Sequence, residues 1–66
     1  MEIFINGQSR ALTTETTVTA LLAELGMHDK PVVVELNGQA LAKSEHDQTI
    51  VSDGARLELI VLAAGG

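Results

Sequence analysis

The sequence predicts an α+β fold in which a mixed β-sheet is covered on one face by a single helix. Two Asn-Gly pairs, at residues 6–7 and 37–38, each separate two short extended runs. Asn-Gly is a strong hairpin signal because a type I′ turn needs positive φ at both central residues. Between these hairpins, residues 18–25 carry apolar side chains at the spacing of one helical face. A last run, residues 56–62, completes the order β-β-α-β-β-β.

The first hairpin begins at Met1. Met1, Ile3 and Ile5 occupy alternate positions, which is the period-two pattern of a half-buried strand. The first Asn-Gly pair forms the turn, and residues 8–12 return as the second strand. Residues 13–17 are predicted to be a polar connection to the helix.

The helix has recognisable start and stop signals. Thr17 is predicted to be the N-cap, because its hydroxyl can accept a hydrogen bond from an otherwise unpaired N–H group. Gly26 fits the left-handed position that follows a helix, and Met27 is expected to pack back on Leu22 as in a Schellman motif. The apolar stripe lies at i, i+3, i+4 and i+7: Val18, Leu21, Leu22 and Leu25.

The second hairpin and the last strand follow the helix. Residues 32–36, which are rich in β-branched side chains, and residues 39–42 flank the second Asn-Gly pair. Residues 43–48 are polar and predicted to be irregular, before a short extended piece at residues 50–51. The turn at residues 53–54 leads into the longest strand. Because crossovers are right-handed, the helix packs across the sheet, giving an α+β roll of the ubiquitin-like (β-grasp) type.

Composition excludes several classes of function. The chain has 66 residues, no cysteine and a formal charge of −5. This length predicts one domain, and the lack of cysteine removes disulfides, iron–sulfur clusters, thiolate zinc sites and a Cys nucleophile. The acidic balance argues against binding nucleic acid or an anionic membrane surface. No signal-peptide pattern or membrane-length apolar run is present, so we expect a cytoplasmic protein.

The outer face of the last strand is a candidate docking surface. Alternation places Leu57, Leu59 and Val61 toward the helix and the side chains between them on the opposite face. An apolar patch rimmed by carboxylates, on a sheet face without a second layer, is typical of a surface that binds another protein. The predicted docking face comprises Phe4, Glu58, Ile60 and Leu62.

The last four residues are predicted to form a flexible tail that follows a domain spanning residues 1–62: Ala63, Ala64, Gly65 and Gly66. Four residues extend at most ~14 Å, which is long enough to enter another protein's active site. Glycine has no side chain that would block a narrow channel. The tail would present the Gly66 carboxylate, a poor electrophile that needs activation, for example as an acyl-adenylate. A functionless terminus is the other interpretation.

Several features together resemble the ThiS family, the sulfur carriers of thiamin thiazole biosynthesis: the element order, Asn37-Gly38, the Lys-Ser-Glu-His segment at residues 43–46, Asp53-Gly54 and Gly65-Gly66. The resemblance covers essentially the whole chain, and the Gly-Gly end on a β-grasp pattern is its most specific part. Ala42, His46 and Ala55 depart from residues frequent in the family, at positions remote from the tail chemistry. His46 stands where an aromatic residue is frequent, so it is interpreted as a surface residue or as a packing substitute.

The resemblance implies a carrier rather than an enzyme. Gly66 would be adenylated by an E1-like enzyme, ThiF, and converted to a thiocarboxylate with sulfur from a donor enzyme. The sulfur would then pass to the thiazole synthase, ThiG. The sequence has no Walker-type loop, so no cofactor is expected in the chain and ATP would be bound by the activating partner. It also shows no acid–base pair, nucleophile constellation or metal-ligand spacing at its two histidines.

Three alternatives stay open on the sequence. MoaD, the small subunit of molybdopterin synthase, shares the fold and the Gly-Gly end but is usually longer. A ubiquitin-like modifier that forms isopeptide bonds is disfavoured, because the residues before Gly65 lack the basic character of ubiquitin's tail. The third alternative is a ubiquitin-like module that binds other proteins without covalent chemistry.

Overall fold

The computed structural model describes residues 1–62, and the predicted tail, Ala63 to Gly66, lies outside the described residues. In chain order the elements are β1 (Glu2–Ile5), β2 (Gln8–Ala11), β3 (Thr16–Thr17), α1 (Val18–Glu24), β4 (Val32–Leu36), β5 (Gln39–Leu41), a 3₁₀ turn (Lys43–Glu45), β6 (Ile50–Val51) and β7 (Arg56–Val61). The described residues contain no helix with both the length and the apolar character needed to cross a membrane.

Five of the strands form one mixed sheet, in the order β2-β1-β7-β4-β5. β1 and β7 are parallel, whereas the other neighbours are antiparallel. This arrangement confirms the predicted mixed sheet with one covering helix. A separate ladder joins β3 to β6, where Thr16 pairs with Val51 and Thr17 pairs with Ile50. The prediction that residues 13–17 are only a connection is therefore wrong for its last two residues.

Both Asn-Gly pairs form the predicted turns. Asn6 and Asn37 each have φ of 51°, and the glycines that follow them have φ of 81° and 84°, as a type I′ turn requires. The two asparagine side chains also bind β7. Asn6 Oδ1 accepts from the N–H of Leu59 at 2.8 Å and its Nδ2 donates to the Leu59 carbonyl at 3.3 Å. Asn37 Oδ1 accepts from the N–H of Arg56 at 2.9 Å.

The helix begins and ends as predicted. Thr17 Oγ1 accepts from the Ala20 N–H at 3.0 Å, which satisfies one of the unpaired donors of the first turn. Gly26 follows with φ of 75°, and the Met27 N–H donates to the Leu22 carbonyl at 2.8 Å. This bond is the long-range closure of a Schellman motif.

The core lies between α1 and the five-stranded sheet. Its fully buried residues come from both layers, and Val18 and Leu21 of α1 meet Ile3, Val34 and Leu57. Val61 was predicted to face the helix, yet it is 47% exposed. A helix of seven residues is about 10 Å long, whereas six strand residues span about 20 Å. The helix is too short to cover the whole of β7.

The segment predicted to be irregular contains the 3₁₀ turn. The Ala42 N–H donates to Glu45 Oε1 at 2.7 Å, and the Thr19 N–H of the first helical turn donates to the His46 carbonyl at 3.2 Å. His46 is only 7% exposed. Its burial confirms the interpretation of His46 as a packing residue and makes the surface interpretation wrong.

Candidate functional site

The open face of the sheet is the side away from α1. Ile3, Val34, Leu57 and Leu59 are buried on the helix side, and alternation along each strand turns their neighbours outward. The central strands β1, β7 and β4 supply the side chains of this face. We define the open face by these residues: Phe4, Val33, Glu35, Arg56, Glu58 and Ile60.

Phe4 forms one end of the open face. It pairs across the ladder with Arg56, whose guanidinium carbon lies 4.6 Å from the centroid of the phenyl ring. This is the geometry of a cation–π contact, and it leaves Phe4 half-buried. Ile60 is four residues further along β7, about 13 Å away at strand spacing. Phe4 and Ile60 therefore do not form the single apolar patch expected from the sequence.

Ile60 forms the apolar end of the open face together with Val33. The two residues pair directly across β4 and β7 and are 48% and 37% exposed. Val33 is not among the residues predicted from the sequence. Because Val33 lies next to the buried Val34, alternation places it outward. Its pairing with Ile60 could be predicted only by knowing that β4 neighbours β7.

Two carboxylates separate these ends. Glu35 of β4 lies directly opposite Glu58 of β7, with Glu35 half-buried and Glu58 exposed. Like charges in such cross-strand positions are destabilising. Within residues 1–62, the ion pair is that of Arg10 with Glu24, at 3.1 Å, so no described cation forms a salt bridge with either carboxylate. Glu35 is a further candidate residue that the sequence did not indicate.

Leu62 lies elsewhere. It was predicted to share the face of Ile60, but it lines a cleft on the helix side with Leu22 and Met27. Its N–H donates to the Pro31 carbonyl at 2.8 Å, and it is 51% exposed. The alternation of β7 ends at Val61, so it no longer determines the direction of the next side chain. The prediction for Leu62 is wrong in its placement on the open face.

The predicted reactive residue, Gly66, lies outside the described residues, as do Ala63, Ala64 and Gly65. Leu62 is the last described residue, so the position from which these four residues continue is at the end of β7, between the open face and the cleft. Their proposed chemistry stays a prediction. In the described part of the chain, no three His, Cys, Asp or Glu side chains are grouped to hold a metal ion.

The element order, the mixed sheet with one covering helix and the exposed outer face define a ubiquitin-like β-grasp protein. The ThiS family model matches residues 3–66. The chain therefore belongs to the ThiS family.

Solved structures agree with this assignment. The crystal structure of the thiamine biosynthesis protein ThiS from Geobacter metallireducens superposes with a TM-score of 0.86 at 33% sequence identity, and the match covers 100% of both chains. The solution structure of a thiamine biosynthesis protein from the same organism gives a TM-score of 0.83, also at 33% identity, over 100% of this chain and 88% of that one.

A longer relative also matches. The chain is 41% identical, over all 66 of its residues, to part of a thiazole synthase from Paramagnetospirillum magneticum strain ATCC 700264 / AMB-1. The match covers 100% of this chain and 20% of the relative, so the chain spans about a fifth of the length of that protein.

Proposed function

We propose that this chain carries sulfur on the carboxyl group of Gly66 for the formation of the thiamin thiazole. The observation that carries the proposal is the family match, which runs through the β-grasp domain and includes Gly65 and Gly66. A carrier of this kind needs no pocket or catalytic group of its own, because its terminal carboxylate is the substrate of other enzymes.

The chemistry proceeds in two steps. An oxygen of the Gly66 carboxylate attacks the α-phosphorus of ATP bound to an E1-like enzyme, which forms an acyl-adenylate and releases pyrophosphate. Hydrosulfide-level sulfur from a donor enzyme then attacks the acyl carbon. A C–S bond forms, the C–O bond to AMP breaks, and AMP leaves with the bonding electron pair. The product is a thiocarboxylate, whose sulfur passes to the thiazole synthase. ATP belongs to the activating partner, and the chain itself holds no cofactor.

The acceptor assignment has its own support. A region similar to this chain is part of a polypeptide that is named thiazole synthase, which favours a thiazole synthase as the protein that receives the sulfur. We propose that this chain interacts with a thiazole synthase.

The test of the covalent chemistry is intact mass spectrometry. The chain is incubated with an E1-like enzyme, ATP and a sulfur donor, and the expected result is replacement of one oxygen by one sulfur at the terminus. Deletion of Gly66 should abolish this exchange and leave the circular dichroism spectrum unchanged. Absence of the exchange with every partner present would refute the carrier function, and unfolding of the deletion variant would show that Gly66 is structural.

We propose that the open face docks the activating enzyme. Its apolar end, Ile60 with Val33, would be buried in the complex, and Glu58 would lie beside it. Ile60→Asp should weaken binding because it would bury a charge in the interface. The chain offers a matched control, Ile50→Asp, because Ile50 is 52% exposed but lies in the separate β3–β6 ladder. Equal affinities of the two variants in calorimetric titration would contradict the docking proposal.

A further inference from the structure

We propose that the cleft beside Leu62 is a second docking site, which binds an acidic segment of a protein that acts on Gly66. The inference rests on the proposed carrier function, since that function supplies the partner. The cleft has a volume of about 420 Å³ and lies between α1, the loop before β4, the 3₁₀ segment and the end of β7. We call it the basic cleft.

The charges of the basic cleft are the reverse of those of the chain. The chain has nine Asp and Glu residues against four Lys and Arg and two His. Among residues 1–62, Lys30, Lys43, His28 and His46 line the cleft, and Asp47 is the one carboxylate that does so. Four of the six side chains able to carry positive charge are thus gathered at one place in an acidic protein. Charge of one sign concentrated in a concave surface attracts groups of the other sign.

The two lysines of the basic cleft are available to a ligand. Lys30 and Lys43 are exposed, and neither forms a salt bridge with a carboxylate of residues 1–62. Asp47 accepts a hydrogen bond from the Thr19 hydroxyl, which occupies one of its oxygens. The imidazole of His46 is buried at the cleft, and its Nε2 has no hydrogen-bond partner within the described residues. Within residues 1–62, the two lysines of the basic cleft therefore have no ion-pair partner.

Part of the lining of the cleft is apolar, which narrows the class of ligand. In a partner segment, an acidic residue next to an apolar residue fits this lining. The carboxylate would lie near the lysines, and the apolar side chain would pack on the apolar part of the cleft. The apolar lining residues are Leu22, Met27, Pro31, Val32 and Leu62.

The position of the cleft favours a protein as the occupant. Leu62 forms part of its wall and is four residues from Gly66, a span of at most ~14 Å. A protein that encloses Gly66 must therefore pass close to the basic cleft. The open face carries paired carboxylates on the other side of the sheet, so the two surfaces have opposite charge. A partner with an acidic segment is attracted by the cleft and repelled by the open face, which would orient it on the carrier.

Charge reversal tests the proposal. The variant K30E/K43E should bind at least one of the two partners, the activating enzyme or the thiazole synthase, about tenfold more weakly or worse. K30R/K43R is the matched control, and it should keep the wild-type affinity because it keeps the charge. The wild-type affinity for that partner should also fall with added salt, whereas the K30E/K43E affinity should not. Wild-type affinity of K30E/K43E for both enzymes would overturn the proposal.

A second measurement separates a free anion from a protein segment. Inorganic phosphate is titrated into the full chain while the ring resonances of His28 and His46 are followed by NMR. Saturable shifts at submillimolar phosphate would show a small-anion site and overturn docking of a protein segment, whereas linear shifts without saturation support it.

Failure of the basic cleft proposal can be distinguished from failure of the carrier function. Normal thiocarboxylate formation with unchanged K30E/K43E binding refutes the basic cleft alone, and wild-type chain that binds the enzymes but gains no sulfur refutes the carrier function alone.

Discussion

Replacement of Glu58 by Gln is expected to stabilise the fold. Glu58 stands directly opposite Glu35 in the β4–β7 ladder, where directly opposed side chains have Cβ atoms about 4.5–5.5 Å apart. Gln has nearly the same shape as Glu and removes one charge of the pair. If Glu58→Gln stabilises the fold, the fold does not require the Glu58 carboxylate. Its role would then be in binding.

The size of the effect follows from the cross-strand geometry. A cross-strand pair contributes roughly 0.2–1 kcal/mol, and like charges act against stability by a similar amount. For a domain of this size, 1 kcal/mol shifts the unfolding midpoint by roughly 4–8 °C. We therefore expect Glu58→Gln to raise the midpoint by about 1–8 °C at low ionic strength. The gain should shrink in 1 M salt, where the screening length is about 3 Å.

Thermal unfolding followed by circular dichroism measures this gain, and two controls isolate its cause. Glu15→Gln changes the net charge equally, but Glu15 lies outside the five-stranded sheet, so its midpoint should move less. In the cycle of Glu35→Gln, Glu58→Gln and the double variant, the second substitution should add less than the first because the repulsion is already gone. Additive effects of Glu35→Gln and Glu58→Gln on the midpoint would show that these two carboxylates do not repel each other. Equal gains from Glu15→Gln and Glu58→Gln would refute the reasoning as well.

Three further substitutions test the fold. Leu21→Ala should lower the free energy of unfolding in urea by about 2–5 kcal/mol, because Leu21 is fully buried; a loss well below 1 kcal/mol would contradict its core position. Asn6→Gly keeps the left-handed turn but loses two hydrogen bonds to Leu59, and should cost about 1–2 kcal/mol in the same assay. Thr17→Ala removes the N-cap acceptor and should cost about 1 kcal/mol, while Thr17→Ser should retain most of the stability.

Elements that depend on local chemistry were predictable from the sequence. The Asn-Gly turns require positive φ at consecutive residues, and the signals at Thr17 and Gly26 act within one helical turn, so each is encoded by neighbouring residues. The extended piece at residues 50–51 was predicted, but its pairing with β3 was not. Each of the two strands has only two residues, which are too few to show a period-two pattern. The side-chain bonds of Asn6 and Asn37 to β7 were likewise hidden, since they join residues far apart in the chain.

The candidate site divides along the same line. Alternation placed Glu58 and Ile60 outward, as the structure shows. Alternation could not identify the residues beside Glu58 and Ile60. Glu35 and Val33 lie opposite them only because β4 pairs with β7. The basic cleft was equally hidden. Its charged residues come from two separate segments, residues 28–30 and 43–47, and they meet only when the loop before β4 and the 3₁₀ segment pack beside α1.

The two halves of β7 differ in their backbone partners. In its first half, the Leu57 carbonyl accepts from the Asn6 N–H at 2.9 Å, and the Asn6 side chain bonds both backbone groups of Leu59. Alternation directs the N–H and carbonyl of Val61 to the same edge, where no strand of residues 1–62 pairs with them. Beyond Leu59, β7 keeps its pairing with β4, where Val33 lies opposite Ile60 and Val32 lies opposite Val61. Its other edge has no partner strand within residues 1–62, beside the position where the proposed carrier segment starts. Substitutions at Asn6 should therefore change the free energy of unfolding without changing partner affinity, whereas substitutions at Ile60 should do the reverse.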